Sequence, residues 1–214
     1  MSESKKGKFI VIEGIDGSGK STLISSLYHK FIELGMPCDK TFEPTDGEIG
    51  KLIRSAFRGD AELSEQCIAA LFLADRLYHI QNSQNGLLSI LNRGIHVVCD
   101  RYVLSSCAYH VPHVSLDWVV HTNSICTNLL MPDLTIYLDL PVKLSLQRLR
   151  ATRNQLEIFE TEGRLTQVSH NYETAIEYFS QLNHKIYRID ASLQPDLVFE
   201  NAWKQIEDLF NENC

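Results

Sequence analysis

The chain has 214 residues, 44% hydrophobic and 22% charged, the make-up of a soluble globular protein long enough for one α/β domain spanning 1–214 with a full core. Its formal net charge of −7 argues against broad nucleic-acid binding, which needs a basic stripe to track phosphates. No run is long or apolar enough for a membrane span, residues 1–8 are polar without an apolar leader core, and the six cysteines show no C-x-x-C pair or zinc spacing, so a cytoplasmic protein with reduced thiols is expected.

Lys8–Glu13 is a short β-rich apolar run, which predicts a buried parallel strand. Gly14-Ile15-Asp16-Gly17-Ser18-Gly19-Lys20-Ser21-Thr22 follows and matches G-x-x-x-x-G-K-[ST], the phosphate-cradling P-loop. Leu23, Leu27, Phe31 and Leu34 then fall at helical spacing, so a strand feeds a glycine loop that opens a helix. Each residue type has a use there. Glycines let backbone N–H groups wrap an anion at a helix N-terminus, Lys20 can reach β- and γ-phosphates, and the Ser21 hydroxyl can ligate Mg²⁺. Binding of a nucleoside triphosphate is the expectation.

Cys38–Phe42 reads as a second strand, ended by the turn cluster Glu43-Pro44-Thr45-Asp46-Gly47. A short helix carries Ile49, Leu52, Ile53 and Phe57, and a long one runs over Ser64–Ser83 with Cys67, Leu71, Ala74 and Tyr78 as its expected apolar face. After Leu87–Leu91, Ile95–Cys99 is the third strand, with Asp100-Arg101-Tyr102 at its carboxyl end. Helices are predicted over Ser105–Tyr109 and Ser115–Leu130, a fourth strand over Leu134–Leu138, and a helix over Val142–Arg150 behind Pro141. The polar stretch from Ala151 to Gly163 reads as a mobile flap. A helix over Leu165–Leu182, a strand over Lys185–Ile189 and an amphipathic helix with Leu197, Ala202, Ile206 and Leu209 complete the chain. Strands alternating with helices predict a parallel sheet covered on both faces.

In open α/β sheets ligands bind beyond the carboxyl ends of the strands, so Asp16, Glu43 and Asp100-Arg101 are expected to meet beside the triphosphate. Phe72, Arg76 and His79 share a second face of the long helix, where a ring could stack on a base and a guanidinium take its phosphate. Spacing alone favours the plainer reading, a core phenylalanine beside a solvated arginine. Arg148, Arg150 and Arg153 stand amid Glu157, Glu160 and Glu162 in and beside the flap; mixed charge usually marks a solvated face, yet arginines on a closing segment can stabilise phosphoryl transfer. His110 and His113 flank Pro112 and have no third partner at ligand spacing, so no metal site is expected there.

Gly14-x-Asp16-Gly17-x-Gly19-Lys20-Ser21-Thr22, Glu43-Pro44, Phe72-x-Ala74-x-Arg76, Asp100-Arg101-Tyr102, Ala108-Tyr109 and Pro132-Asp133-Leu134-Thr135-Ile136-Tyr137-Leu138-Asp139 together resemble the thymidylate kinase family, in order and over essentially the whole chain. The resemblance implies a three-layer P-loop kinase fold, with a five-stranded parallel sheet, helices on both faces and a mobile LID at about 150–163. It also implies transfer of the γ-phosphoryl of ATP to dTMP with Mg²⁺, in a homodimer that engages neither nucleic acid nor membrane. By this resemblance residues 14–22, Arg148 and Arg150 would bind ATP, and Ser21 and Asp100 would serve the metal. Phe72 would stack on thymine, Arg76, Ser105 and Tyr109 would line the monophosphate pocket, and Asp16, Glu43 and Pro44 would lie near the sugar and phosphates. Arg101 would bind the acceptor phosphate, helped by Arg54, and Lys20, Asp16, Arg101 and a flap arginine would be catalytic.

One branch of the family carries a basic residue inside the P-loop. Gly17 and Ser18 stand there in this chain, so the flap must supply the catalytic arginine: Arg153 first, Arg150 next. Phe42, His110 and Ile158 depart from the family pattern, at the places of an arginine before Glu-Pro, a glutamine after Ala-Tyr and a flap arginine. A deoxynucleoside kinase, with Glu43 as general base on a sugar hydroxyl, and a deoxynucleoside monophosphate kinase for another base are the alternatives.

Overall fold

The computed structural model describes residues 6–111, 113–152 and 161–211. Its centre is one parallel sheet in the order β2-β3-β1-β4-β5, formed by β1 (Phe9–Glu13), β2 (Cys38–Phe42), β3 (His96–Asp100), β4 (Leu134–Asp139) and β5 (Ile186–Asp190). β1 lies in the middle and is buried along its whole length. Its alternate residues enter two separate cores, Phe9 and Val11 on one face and Ile10 and Ile12 on the other. That division is what period-2 geometry dictates for a central strand covered on both sides. The P-loop kinase architecture expected from the sequence is therefore present: sheet in the middle, helices in two outer layers.

One outer layer holds α1 (Lys20–Glu33) and α9 (Pro195–Asn211), whose Leu27, Phe31, Ala202 and Ile206 are fully buried against the sheet. The other holds α3 (Glu65–Gln81), α4 (Leu87–Asn92), α5 (Val103–His110), α6 (Leu116–Leu129) and α8 (Glu162–Gln181); α2 (Glu48–Phe57) packs on α3, and α7 (Val142–Thr152) leads from β4 to the edge of the P-loop. Ser64 and Ser115 cap α3 and α6, their hydroxyls accepting from Cys67 N at 3.2 Å and Trp118 N at 3.1 Å.

Two expectations about elements need correction. The buried face of α3 is not Cys67, Leu71, Ala74 and Tyr78: Cys67 is exposed and Tyr78 is 52% exposed, while Ile68, Ala69, Asp75, Arg76, His79 and Ile80 are inside. Polar side chains with partners elsewhere in the fold fill the stripe that periodicity gave to apolar ones. The helices bordering the flap are also longer than expected, α7 reaching Thr152 and α8 starting at Glu162. Of the flap proper, residues 153–160 lie outside the described residues.

Register puts the chemistry on one edge. Ile12 of β1 pairs with Asp100 of β3, and Phe42 of β2 pairs with the same Asp100. Arg101 N then donates to Ile12 O and Glu43 N to Asp100 O, both at 3.0 Å. Gly14, Glu43 and Arg101 thus leave three neighbouring strands at the same level.

Candidate active site

The glycine loop closes tightly over the end of β1. Gly14 has φ 146, and a Cβ there would meet Leu138 O at 2.8 Å, so only glycine fits between the two strands. Ser145 of α7 clamps the loop from the side, its hydroxyl donating to Asp16 O at 2.6 Å. Lys20, 7% exposed, donates to Gly14 O at 3.0 Å and Ile15 O at 3.1 Å. Burial lowers its pKa, and the nearby Arg101 charge adds to that. Beside the loop lies a cleft of about 1270 Å³, lined by Lys20, Ser21, Thr22, Asp100, Arg101 and Arg148 among others. Its size suits a nucleotide.

Arg101 takes the left-handed backbone conformation, φ 71, which turns its side chain from the end of β3 toward the P-loop. Its guanidinium bridges two sides of the basin. It pairs with Asp16 on one, and on the other approaches Ser105 Oγ at 3.2 Å, Tyr109 OH at 3.2 Å and Tyr172 OH at 3.4 Å. Tyr109 OH in turn donates to Asp16 Oδ2 at 2.9 Å. Predicted residues from β1, β3 and α5 therefore converge.

Glu13 anchors this group and was not singled out from the sequence. Its carboxylate is fully buried and accepts from Tyr102 N at 2.8 Å, Ser105 N at 3.2 Å, Ser105 Oγ at 2.6 Å and Tyr172 OH at 3.0 Å. Burial raises its pKa, against those hydrogen bonds and the Arg101 charge. An acid ending an apolar strand was a usable signal for Glu13. Tyr172, far off on α8, offered none.

The second constellation is built around Arg76, only 1% exposed. Its Nε donates to Glu43 Oε2 at 2.8 Å, Nη1 to Ser106 Oγ at 2.9 Å and to Asn123 Oδ1, and Nη2 to Tyr102 O at 2.9 Å, while Nη2 also lies 2.7 Å from Glu43 Oε2 as an ion pair. All three nitrogens of the guanidinium thereby donate to protein acceptors. The solvated arginine expected from spacing is overturned: Arg76 is buried and holds a wall of the basin together. His79 completes it, with Nδ1 3.1 Å from Glu43 Oε1 and Nε2 2.8 Å from Thr41 Oγ1. Burial alone would raise the Glu43 pKa, but the Arg76 charge and the His79 hydrogen bond outweigh it and hold the carboxyl low.

Phe72 stands one turn before Arg76, half-buried, with ring centroids 6.2 Å from Phe57 and 4.9 Å from His110. The turn after β2 is pinned from two sides. Asp75 accepts from Thr45 N and Thr45 Oγ1, both at 2.7 Å, and Arg54 donates to Pro44 O and Thr45 O, both at 2.7 Å, and to Asp46. Most of the Arg54 fork is thus taken up by that turn.

Asp100 Oδ1 is buried without a hydrogen-bond partner, next to the loop that carries Ser21. An orphaned carboxylate oxygen beside a hydroxyl and a phosphate cradle is a fitting donor set for a hard cation such as Mg²⁺. Of the arginines near the flap, Arg148 donates to Ala191 O at 2.9 Å at the cleft edge, and Arg150 is exposed at the end of α7. Arg153 lies outside the described residues, as does Ile158.

Comparison with known proteins agrees with this geometry. The model of the thymidylate kinase family matches residues 12–202. A probable thymidylate kinase of Pyrococcus horikoshii is 36% identical over 213 residues, covering 97% of this chain and 94% of that one. A thymidylate kinase of Leptospira interrogans is 39% identical over 171 residues, 80% of this chain and 82% of the other. The solved structure of thymidylate kinase from Candida albicans superposes with a TM-score of 0.79 at 26% identity, covering 96% of this chain and 93% of that one. This chain belongs to the thymidylate kinase family.

Proposed function

We propose that the protein transfers the γ-phosphoryl of ATP to dTMP, giving dTDP and ADP. The observation that supports this most is the Arg101 guanidinium, suspended between Asp16 of the P-loop and the Ser105–Tyr109 side of α5. A cation there faces both the donor phosphates and an acceptor phosphate, where charge builds on the transferred group.

On this reading ATP lies in the cleft, its phosphates on the N–H groups of residues 14–22 and Lys20, with Arg148 near its base. Ser21 and Asp100 would hold Mg²⁺, which when bound supplies neutralisation of the phosphate oxygens. The thymine stacks on Phe72 beside the Arg76–Glu43 wall, and Ser105, Tyr109 and the remaining Arg54 donors guide the monophosphate toward Arg101. Arg153, with Arg150 next, stabilises the transition state from the flap. A phosphate monoester is already a competent nucleophile, so the reaction needs no general base. Glu43, buried and held ionised by Arg76, is badly placed to be one, which disfavours a kinase acting on a sugar hydroxyl.

We further propose that the whole chain works as one catalytic unit and pairs as a homodimer. Leu52, Tyr78, Ile125 and Leu129 are each more than a third exposed on α2, α3 and α6, with α3 packed against the other two, and offer apolar contact to a second copy. A cytoplasmic setting is supported by Cys38, Cys67, Cys99, Cys107 and Cys126, all free thiols.

The decisive assay is a panel of nucleoside monophosphates with ATP and Mg²⁺. dTMP is expected to give dTDP fastest. Turnover of thymidine above dTMP, or of no pyrimidine monophosphate, would overturn the assignment.

A further inference from the structure

Two residues on the line of β2 meet two residues of α3. Glu43 N donates to Asp100 O and so carries the strand register one residue past β2, which puts Thr41 and Glu43 on the same face. Arg76 and His79 stand one turn apart on α3. Arg76 grips one oxygen of the Glu43 carboxylate, with Nε donating to Oε2 at 2.8 Å. His79 takes the other: its Nδ1 lies 3.1 Å from Glu43 Oε1 and its Nε2 2.8 Å from Thr41 Oγ1. Glu43 is ionised beside Arg76, and an ionised carboxylate only accepts. The imidazole therefore carries a proton on Nδ1, and in the neutral ring Nε2 is the lone pair that accepts from the Thr41 hydroxyl. His79 is buried, with both nitrogens engaged, yet it has no part in the phosphoryl transfer proposed above.

We propose that His79 is a positioning residue of the acceptor site, locking Glu43, and through Glu43 the Arg76 guanidinium, into the rigid wall beside the base stacked on Phe72. The inference rests on the base site described under the proposed function. A carboxylate held at Oε2 alone can swing about its last side-chain torsion, which is a broad and soft one. The second hydrogen bond, at Oε1, removes that freedom. Thr41 fixes the imidazole in turn, so the wall is tied to the edge strand of the sheet. Phe72 precedes Arg76 by one turn of α3, and a tilt of the guanidinium would alter the space beside that ring. Positioning of this kind acts on binding of the base. The reacting phosphorus is at the other end of the acceptor, so the transfer step is spared.

The test is His79→Leu, which fills the space and removes both nitrogens. KM for dTMP is expected to rise about tenfold, with kcat and KM for ATP changed less than about threefold. A merely structural loss would lower the amount of folded enzyme, and with it the apparent kcat, and leave KM where it was. Two polar variants sharpen the reading. His79→Asn sets an amide N–H near the place of Nδ1 and should recover most of the dTMP KM. His79→Gln, whose amide reaches the place of Nε2 instead, should not. A folded His79→Leu protein whose dTMP KM stays within about twofold of the parent overturns the proposal, as does rescue by Gln without rescue by Asn. Should His79→Leu not fold, the Asn and Gln variants decide alone, and equal dTMP KM values refute the role. Phe72→Ala separates the two layers of inference. If it leaves the dTMP KM unchanged, the base site is misplaced and the proposal falls with it; if it raises KM while His79→Leu does not, only the role of His79 fails.

Discussion

Arg101 combines a strained backbone with a precise location. A non-glycine residue at φ 71 costs on the order of 1–3 kcal/mol, and such strain persists only where surrounding contacts over-determine it. Glu13 supplies those contacts by accepting from Tyr102 N and Ser105 N on the far side of the turn. Arg101→Ala is therefore expected to lower kcat by about a thousandfold or more while circular dichroism and thermal melting show the fold retained. A loss below tenfold would remove Arg101 from the reacting centre. Acid stability is also set by single residues. Above pH 6.5 His110 is neutral in both folded and unfolded chains; between 6.5 and about 3 only the unfolded chain binds the proton. Stability therefore falls as pH drops through that window, at a limiting slope of about 1.4 kcal/mol per unit for this group. His96 and His184, whose pKa values burial also lowers, act in the same direction. Melting temperatures from pH 7 to 5 should decline less steeply in His110→Phe than in the parent, and parallel slopes would refute this account. At this scale the sequence revealed residues whose neighbours announce them, such as Lys20 in its glycine loop and Arg101 after Asp100. Tyr172 stayed hidden because its partners come from distant elements, and Glu13 went unread although an acid ends its apolar strand.

Elements were legible in proportion to how local their signals are. The opening strand, loop and helix carry every cue within one stretch, and Cys38–Phe42 was read with its observed bounds. Helix α3 was found but its inner face was misread, because Arg76 is satisfied by Glu43, Ser106 and Asn123, which lie 33, 30 and 47 residues away. Periodicity registers apolar stripes and is blind to a buried polar one with remote partners. For the proposed catalytic arginine of the flap, the choice lies between Arg153 and Arg150. On the proposed role, Arg153→Ala should slow the chemical step about a thousandfold and leave the dTMP KM nearly unchanged, because an arginine that neutralises charge only in the transition state adds nothing to ground-state binding. Pre-steady-state quench kinetics of both variants decide it. Full turnover in Arg153→Ala with none in Arg150→Ala would reassign the role.

For the molecule as a whole, alternating strands and helices announced a covered parallel sheet, but the order β2-β3-β1-β4-β5 was not readable. Strand neighbours depend on where crossovers land, and no local pattern encodes that. The exposed apolar face of α2, α3 and α6 carries the assembly prediction. Light scattering should give twice the 24.4 kDa of one chain, and Ile125→Asp with Leu129→Asp should return it to one chain without changing circular dichroism. A parent protein monomeric at micromolar concentration would refute the dimer. The wall around Arg76 has a consequence for how this protein could change its substrate over time. It joins β2, α3, α5 and α6 through groups that each complete another's valence, so altering one strands a buried charge or amide elsewhere. Single-step drift is blocked on that side and stays open at the aromatic rim formed by Phe57, Phe72 and His110. New base preferences should therefore be reachable by one mutation at the rim and by none at the wall.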